Sequence, residues 1–249
     1  MQDKRYLLNL EQLFTGEDRE ALFKEVLSKV DAERRQKALH MKKIKIQAAS
    51  LGAGLLLQKA LADSVEGSGC KVLADSVGRS SCKVLSSCMK GEPRIQLFSV
   101  KELLALIEGP IMEPEYGYGG KGKPYFKDYP IQFNLSHSGE YVFCGVSEQE
   151  IGVDIQEMRN AKEVSLARRF FSEGECAMLE YCENDEERSQ MFFRMWARKE
   201  AYGKLTGQGI AGILNKDLWI DGSEKEKLIW EEHAAPAGYR IAVCKYAPM

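Results

Sequence analysis

The residues best equipped for chemistry lie in a few short stretches between 122 and 204. In Ile151-Gly152-Val153-Asp154-Ile155-Gln156, read as a strand, Ile151, Val153 and Ile155 point one way and Gly152, Asp154 and Gln156 the other. Asp154 is then an acid among apolar neighbours, on the face opposite the buried row. Gly152 on that face leaves room for close approach. A solvated strand face with an ordinary surface aspartate explains the same pattern. Trp196-Ala-Arg-Lys-Glu200-Ala-Tyr-Gly-Lys204 reads as helix, with Glu200 and Lys204 four apart on one face. An exposed salt bridge of roughly a few tenths of a kcal/mol accounts for that pair equally well. Phe133-Asn-Leu-Ser136-His137-Ser138-Gly139 sets small polar groups and an imidazole at a strand end, where a capped turn is the plain alternative. Lys123-Pro124 follows a Gly-rich loop.

The elements that must position these groups can be read from periodicity. Residues 17–61 are expected to be helical: Leu22, Phe23, Val26, Leu27 and Val30 recur at helical spacing, followed by Ile46, Leu51, Leu55 and Leu56. Residues 99–108 suggest a short helix, and the Gly- and Pro-rich segment 109–124 a loop. Strands are expected at 132–135, 141–146 and 151–155, with Ser-His-Ser-Gly (136–139) and Ser-Glu-Gln-Glu (147–150) as turns. Ser172-Glu-Gly-Glu175 has the form of a capping box, and 186–205 a longer helix. Further strands are expected at 218–220, 227–230 and 239–244. Helices plus strands therefore occur twice, which points to an α+β chain of two similar halves, 1–147 and 148–249. One anomaly interrupts the first half: Ala62–Leu73 is followed at once by a near copy, Ala74–Leu85, with nine of twelve positions identical. Two copies are too few for a solenoid. The duplication, about 62–92 with its flanks, reads as an expanded surface excursion, because long loop insertions cost little stability.

Composition narrows the function classes. The 249 residues are 44% hydrophobic and 29% charged, those of an ordinary globular protein. The formal charge of −2 gives no global nucleic-acid footprint. The longest apolar stretches, such as Leu51–Leu57, fall far short of the roughly 20 residues of a membrane span. No secretory signal is visible at the N-terminus, so a cytoplasmic address is expected. The seven cysteines (Cys70, Cys82, Cys88, Cys144, Cys176, Cys182 and Cys244) are odd in number and form no C-x-x-C pair, which argues against a disulfide framework or a structural zinc site.

Taken in order, Gly-Lys-Pro (122–124), Phe-Asn-Leu-Ser-His-Ser (133–138), Gly-Val-Asp (152–154), Arg-Arg-Phe-Phe-Ser (168–172) and Trp-x-x-Lys-Glu-Ala-x-x-Lys (196–204) closely resemble the 4'-phosphopantetheinyl transferases. The resemblance is to the large pseudo-dimeric type that activates peptide and polyketide synthases, and spans roughly 30–60 and 120–245. It implies two α+β halves related by a pseudo-two-fold in a monomer. Coenzyme A would lie in the cleft between them, and an apo acyl or peptidyl carrier protein would dock at its mouth. The reaction implied moves the 4'-phosphopantetheine arm from coenzyme A to a carrier serine and releases 3',5'-ADP. That chemistry requires a cation on the pyrophosphate, a base for the serine and a cation or acid for the leaving group. By resemblance, Asp154 and Glu200 hold Mg2+, with Mn2+ as the alternative, and Glu200 acts as the base directly or through water. His137 and Lys204 hold the phosphates. Ser136 and Lys123 contact the adenine side, and Arg34, Lys37 and Ser50 grip the 3'-phosphate. Basic side chains near Lys42, Lys43, Arg168 and Arg169 are expected to help dock an acidic carrier protein.

The chain departs from the pattern at Gln156, where many relatives carry a second acid. Gln156 shares Asp154's face, but a neutral amide is a weaker magnesium ligand, so water or the amide oxygen takes that coordination site. Glu157 points to the other face. The rival reading is a non-catalytic coenzyme A- or nucleotide-binding protein of the same fold, and Gln156 is the feature in its favour.

Overall fold

The computed structural model describes residues 3–67, 83–85, 94–159, 163–213, 215–218 and 228–247. In chain order the elements are β1 (Lys4–Asn9), α1 (Glu11–Phe14), α2 (Arg19–Ser28), α3 (Ala32–Leu39), α4 (Ile44–Gly67), β2 (Lys83–Leu85), β3 (Ile95–Ser99) and α5 (Val100–Leu106). They continue as β4 (Tyr116–Tyr118), β5 (Pro124–Phe126), β6 (Gln132–Ser138), β7 (Tyr141–Ser147), β8 (Ile151–Glu157), α6 (Glu163–Phe170), α7 (Glu173–Glu180) and α8 (Asp185–Leu205). A 3-10 turn at Ile210–Ile213 precedes β9 (Leu228–Glu232) and β10 (Tyr239–Tyr246). The class is α+β.

Alternation along the strands builds four layers. The first sheet has the order β2-β3-β1-β7-β6, with β1 and β3 parallel and its other pairs antiparallel. One face of it, Tyr6, Leu8, Phe133, Val142 and Cys144, packs with Leu51, Leu55 and Leu56 of α4. The other, with Leu7 and Phe143, packs with Ile151, Val153, Ile155 and Val243 of the second sheet, ordered β8-β10-β9. The outer face of that sheet, Ala242 and Cys244, receives Ala197, Ala201 and Leu205 of α8. The layers are thus α4, first sheet, second sheet, α8. Leu51 and Leu55 are fully buried, each contributing roughly 1.5–3 kcal/mol.

Several expectations are corrected. The helical stretch 17–61 is three helices. Asp31 ends the first break by accepting from the Arg34 amide at 2.8 Å, a cap that starts α3. Segment 109–124 is not all loop, because Tyr116–Tyr118 pairs with Pro124–Phe126 as a hairpin. Ser136-His137-Ser138 belongs to β6 rather than to a turn; the reversal falls at Gly139, whose φ of 55° is left-handed. The capping box at Ser172–Glu175 forms as expected, and a second one at Ser99–Glu102 starts α5. Residue 218 lies in a bend, and 219–220 fall outside the described residues, as does most of the duplicated segment. The part of its first copy that is described, 62–67, extends α4.

Candidate active site

Asp154 sits in the middle of β8, and both faces of that strand are buried. The inner face packs on the first sheet. The outer face meets α8 so closely that a Cβ on Gly152 would lie 2.0 Å from the Ala201 carbonyl oxygen. The space above Gly152 is therefore filled by helix backbone. Asp154 is 4% exposed rather than on a solvated face.

Three side chains from three elements close a triangle here. Ser136 of β6 donates to Asp154 Oδ1 at 2.7 Å, Lys204 of α8 donates to the same oxygen at 2.7 Å, and Lys204 also donates to Ser136 Oγ at 2.7 Å. The expected Glu200–Lys204 pair is thus replaced by an ion pair between Lys204 and Asp154. Asp154 Oδ2 is buried and has no hydrogen-bond partner. Burial pushes the Asp154 carboxyl above the usual carboxylate range, against the pull of Lys204, Ser136 and the Ile155 amide. Burial and then the Asp154 charge raise Glu200 as well, with Lys204 opposing. His137, exposed at the end of β6, is shifted the other way: desolvation and then the Lys204 cation lower it, and Asp154 opposes. Two carboxylates that share one ammonium, Lys204, and are still raised by burial, one with a buried oxygen that accepts no hydrogen bond, suit a hard divalent cation that fills its shell with water and phosphate oxygens. No group of three or more His, Cys, Asp or Glu that could hold a metal occurs among the described residues, so any such ion would depend on non-protein ligands.

Other sequence candidates are placed apart from this cluster. Gln156 stands across from Arg240 on β10, and its amide nitrogen donates to the Glu157 carbonyl at 3.2 Å. Lys123 pairs with Glu150 and donates to the Ile151 carbonyl at 3.1 Å, tying its loop to the start of β8. Arg34 lies on α3, where its stem packs so tightly on α4 that a Cβ on Gly54 would meet Arg34 Cγ at 2.9 Å. Ser50 is one turn earlier on α4, with its hydroxyl buried and unpartnered, and Lys37 is exposed on α3. The triangle thus gathers Ser136, Asp154 and Lys204 with Glu200 and His137, whereas Arg34, Lys37 and Ser50 belong to the α3–α4 layer.

Sequence reasoning missed Lys199. It is 1% exposed, pairs with Glu175 at 2.8 Å and donates to the Lys216 carbonyl at 2.5 Å. Glu175 is also the capping-box acid that accepts from the Ser172 amide at 3.0 Å. Trp196 stacks edge-on against Phe170 at 5.5 Å and face-on against Phe192 at 5.8 Å. The Arg-Arg-Phe-Phe-Ser and Trp-x-x-Lys-Glu stretches are therefore one packed unit that fixes α8, and with it Glu200 and Lys204. The signal was available: Phe192, Met195, Lys199 and Tyr202 form an apolar helical stripe, and a cation on such a stripe needs a buried anion.

Residues 150–244, which hold β8, α8 and β10, match the sequence model of the 4'-phosphopantetheinyl transferase superfamily. The 4'-phosphopantetheinyl transferase AcpT of Escherichia coli (strain K12) is 33% identical over 162 residues, covering 64% of this chain and 79% of that protein. The 4'-phosphopantetheinyl transferase psf-1 of Bacillus pumilus is 34% identical over 161 residues, covering 60% of this chain and 66% of that protein. For the 4'-phosphopantetheinyl transferase HetI of Nostoc sp. (strain PCC 7120) the figures are 37% over 120 residues, 46% and 50%. The match spans less than two thirds of psf-1 and half of HetI. The chain belongs to the 4'-phosphopantetheinyl transferase superfamily.

Proposed function

We propose that the chain transfers 4'-phosphopantetheine from coenzyme A to a serine of an apo acyl or peptidyl carrier protein and releases 3',5'-ADP. The observation that carries this reading is the buried Asp154 carboxylate, with one bare oxygen, set among Ser136, His137, Glu200 and Lys204. In it, Asp154 and Glu200 would hold Mg2+ or Mn2+, and Gln156 would leave its coordination site to water or to its own amide oxygen. Bound there, the ion would neutralise the pyrophosphate. Glu200, its affinity for protons raised by burial and by Asp154, takes the proton of the attacking serine hydroxyl directly or through a water. The serine oxygen bonds to the phosphorus that carries the pantetheine arm as the bridge to 3',5'-ADP breaks. Lys204, one helical turn from Glu200, offsets charge on the departing phosphate, and His137 donates to phosphate oxygens. Arg34, Lys37 and Ser50 grip the 3'-phosphate; Ser136 and Lys123 border the adenine side, where both must exchange present bonds for substrate.

The division into halves 1–147 and 148–249 belongs to the same reading, supported by α4 backing one sheet and α8 the other. So does a cytoplasmic monomer; no described helix is long and apolar enough to cross a membrane. The test is incubation with coenzyme A, Mg2+ and an apo carrier protein, which should gain about 340 Da, the mass of a phosphopantetheine added through its phosphate. Asp154→Ala and Glu200→Gln should abolish the gain while circular dichroism stays unchanged. Full transfer by either variant overturns the mechanism, and no gain with the unaltered chain favours the non-catalytic rival that Gln156 suggests.

A further inference from the structure

Asn134, Ser136 and Ser138 are alternate residues of β6 and share one face, and all three meet β8. Asn134 Oδ1 accepts from the Val153 amide at 3.0 Å, and Ser138 Oγ accepts from the Glu157 amide at 3.0 Å. Between these two fastenings lies the bond from Ser136 to Asp154. Both strands are sheet edges: β6 ends the first sheet and β8 ends the second. Edge amides ordinarily face water or recruit a neighbouring strand. Here two of them, four residues apart on one side of β8, are taken by side chains from the other sheet, and Asn134 is buried. The gap between the strands is thus set by side-chain length at two points that bracket Asp154.

The arrangement also separates two groups of residues. Asp154, Glu200 and Lys204 belong to β8 and α8, whereas Ser136 and His137 belong to β6, in the sheet that α4 backs. The geometry points to Asn134 and Ser138 as positioning residues that hold the carboxylates of one sheet in register with the phosphate-facing groups of the other. They would thereby couple metal binding to coenzyme A binding. This inference rests on the function proposed above. Such coupling is measured as a ratio: the dissociation constant for coenzyme A in EDTA over that in Mn2+.

The experiment is calorimetric titration of the full chain with coenzyme A under both conditions. Asn134→Ala and Ser138→Ala should lower the ratio about 10-fold or more, the usual effect of removing a partner that orients a metal ligand. Affinity in EDTA should change less than about threefold. Ser138→Thr keeps the hydroxyl and should restore the ratio. Gln58→Ala is the stability control: Gln58 is also buried and bonds the Met112 backbone twice, but in the α4 layer. It should leave the ratio unchanged. An unchanged ratio in the Ser138→Ala variant, or an equal loss in Gln58→Ala, overturns the inference. If Asn134→Ala does not fold, the Ser138→Ala and Ser138→Thr pair decides alone. A ratio of one in the unaltered chain instead overturns the metal-dependent reading, and the coupling falls with it.

Discussion

Replacing Lys199 by methionine removes one partner of an ion pair whose side chains are 1% and 2% exposed. Glu175 would keep the amide bond from Ser172 but lose its counter-charge at 2.8 Å, and the Lys216 carbonyl would lose its 2.5 Å donor. Breaking a buried pair from one side costs about 3–5 kcal/mol, because the remaining charge is stranded away from water. At about 2–4 °C per kcal/mol for a chain of this size, the midpoint of thermal unfolding should fall by roughly 6–20 °C. Scanning calorimetry at neutral pH measures it. Adding Glu175→Gln removes the stranded charge while keeping an acceptor for the Ser172 amide. The double variant should therefore be more stable than the single lysine variant by about 1–3 kcal/mol, the desolvation cost of the charge it removes. A fall of less than about 2 °C in the single variant, or a double variant no better than the single, would refute the assignment of Lys199 as a buried structural cation.

Two further predictions follow from close contacts and from charge. Gly152→Ala would drive a methyl group to 2.0 Å from the Ala201 carbonyl oxygen and 2.7 Å from the Leu205 nitrogen. Both are backbone atoms, so β8 and α8 must separate. The cost should reach the upper part of the overpacking range, about 3 kcal/mol, and transfer activity should fall with it; a variant of unchanged midpoint and activity would contradict that packing. Glu231 is buried, which alone would raise its pKa. The hydrogen bonds from His233 and Arg5, and then the Arg5 charge, bring it down to about 2. Its folded value lies below its unfolded one, so its contribution is complete above about pH 4.5 and is lost as pH falls toward about 2. That contribution is about 3 kcal/mol. Urea unfolding of Glu231→Gln across that window should show a correspondingly flatter loss of stability than the unaltered chain; identical slopes would refute it.

Where the sequence was legible, the reason was local. The alternation that set Asp154 apart from Ile151, Val153 and Ile155 is the alternation in β8, and the Ser172–Glu175 spacing forms the box it announces. What it hid was the second side of each element. β1 went unread because Tyr6, Leu7 and Leu8 are apolar in succession, as befits a strand buried on both faces, and such a run has no strand period. Asp154 looked solvent-facing because the helix that covers it begins some 30 residues later in the chain, at Asp185. Gly152 looked like room for a ligand for the same reason. Lys204 was read against Glu200 on its own helix, whereas its partners are Asp154 and Ser136 on two strands.

The same distinction bears on function. Periodicity assigns a residue to a face, but the candidate site exists only where faces of different elements converge, and there local rules are broken. A buried carboxylate normally has every oxygen satisfied; Asp154 has one bare, and its proton affinity is raised although an ammonium and a hydroxyl already touch it. A packed core would remove that cost by substituting an amide or an apolar group. Beside a second raised carboxylate, that cost would be offset by additional positive charge, which in the proposed reaction a divalent ion would supply, with the phosphate oxygens of coenzyme A completing its shell. In the proposed reading, the cost of burying Asp154 with one oxygen unsatisfied would add to the affinity for a cation at that oxygen.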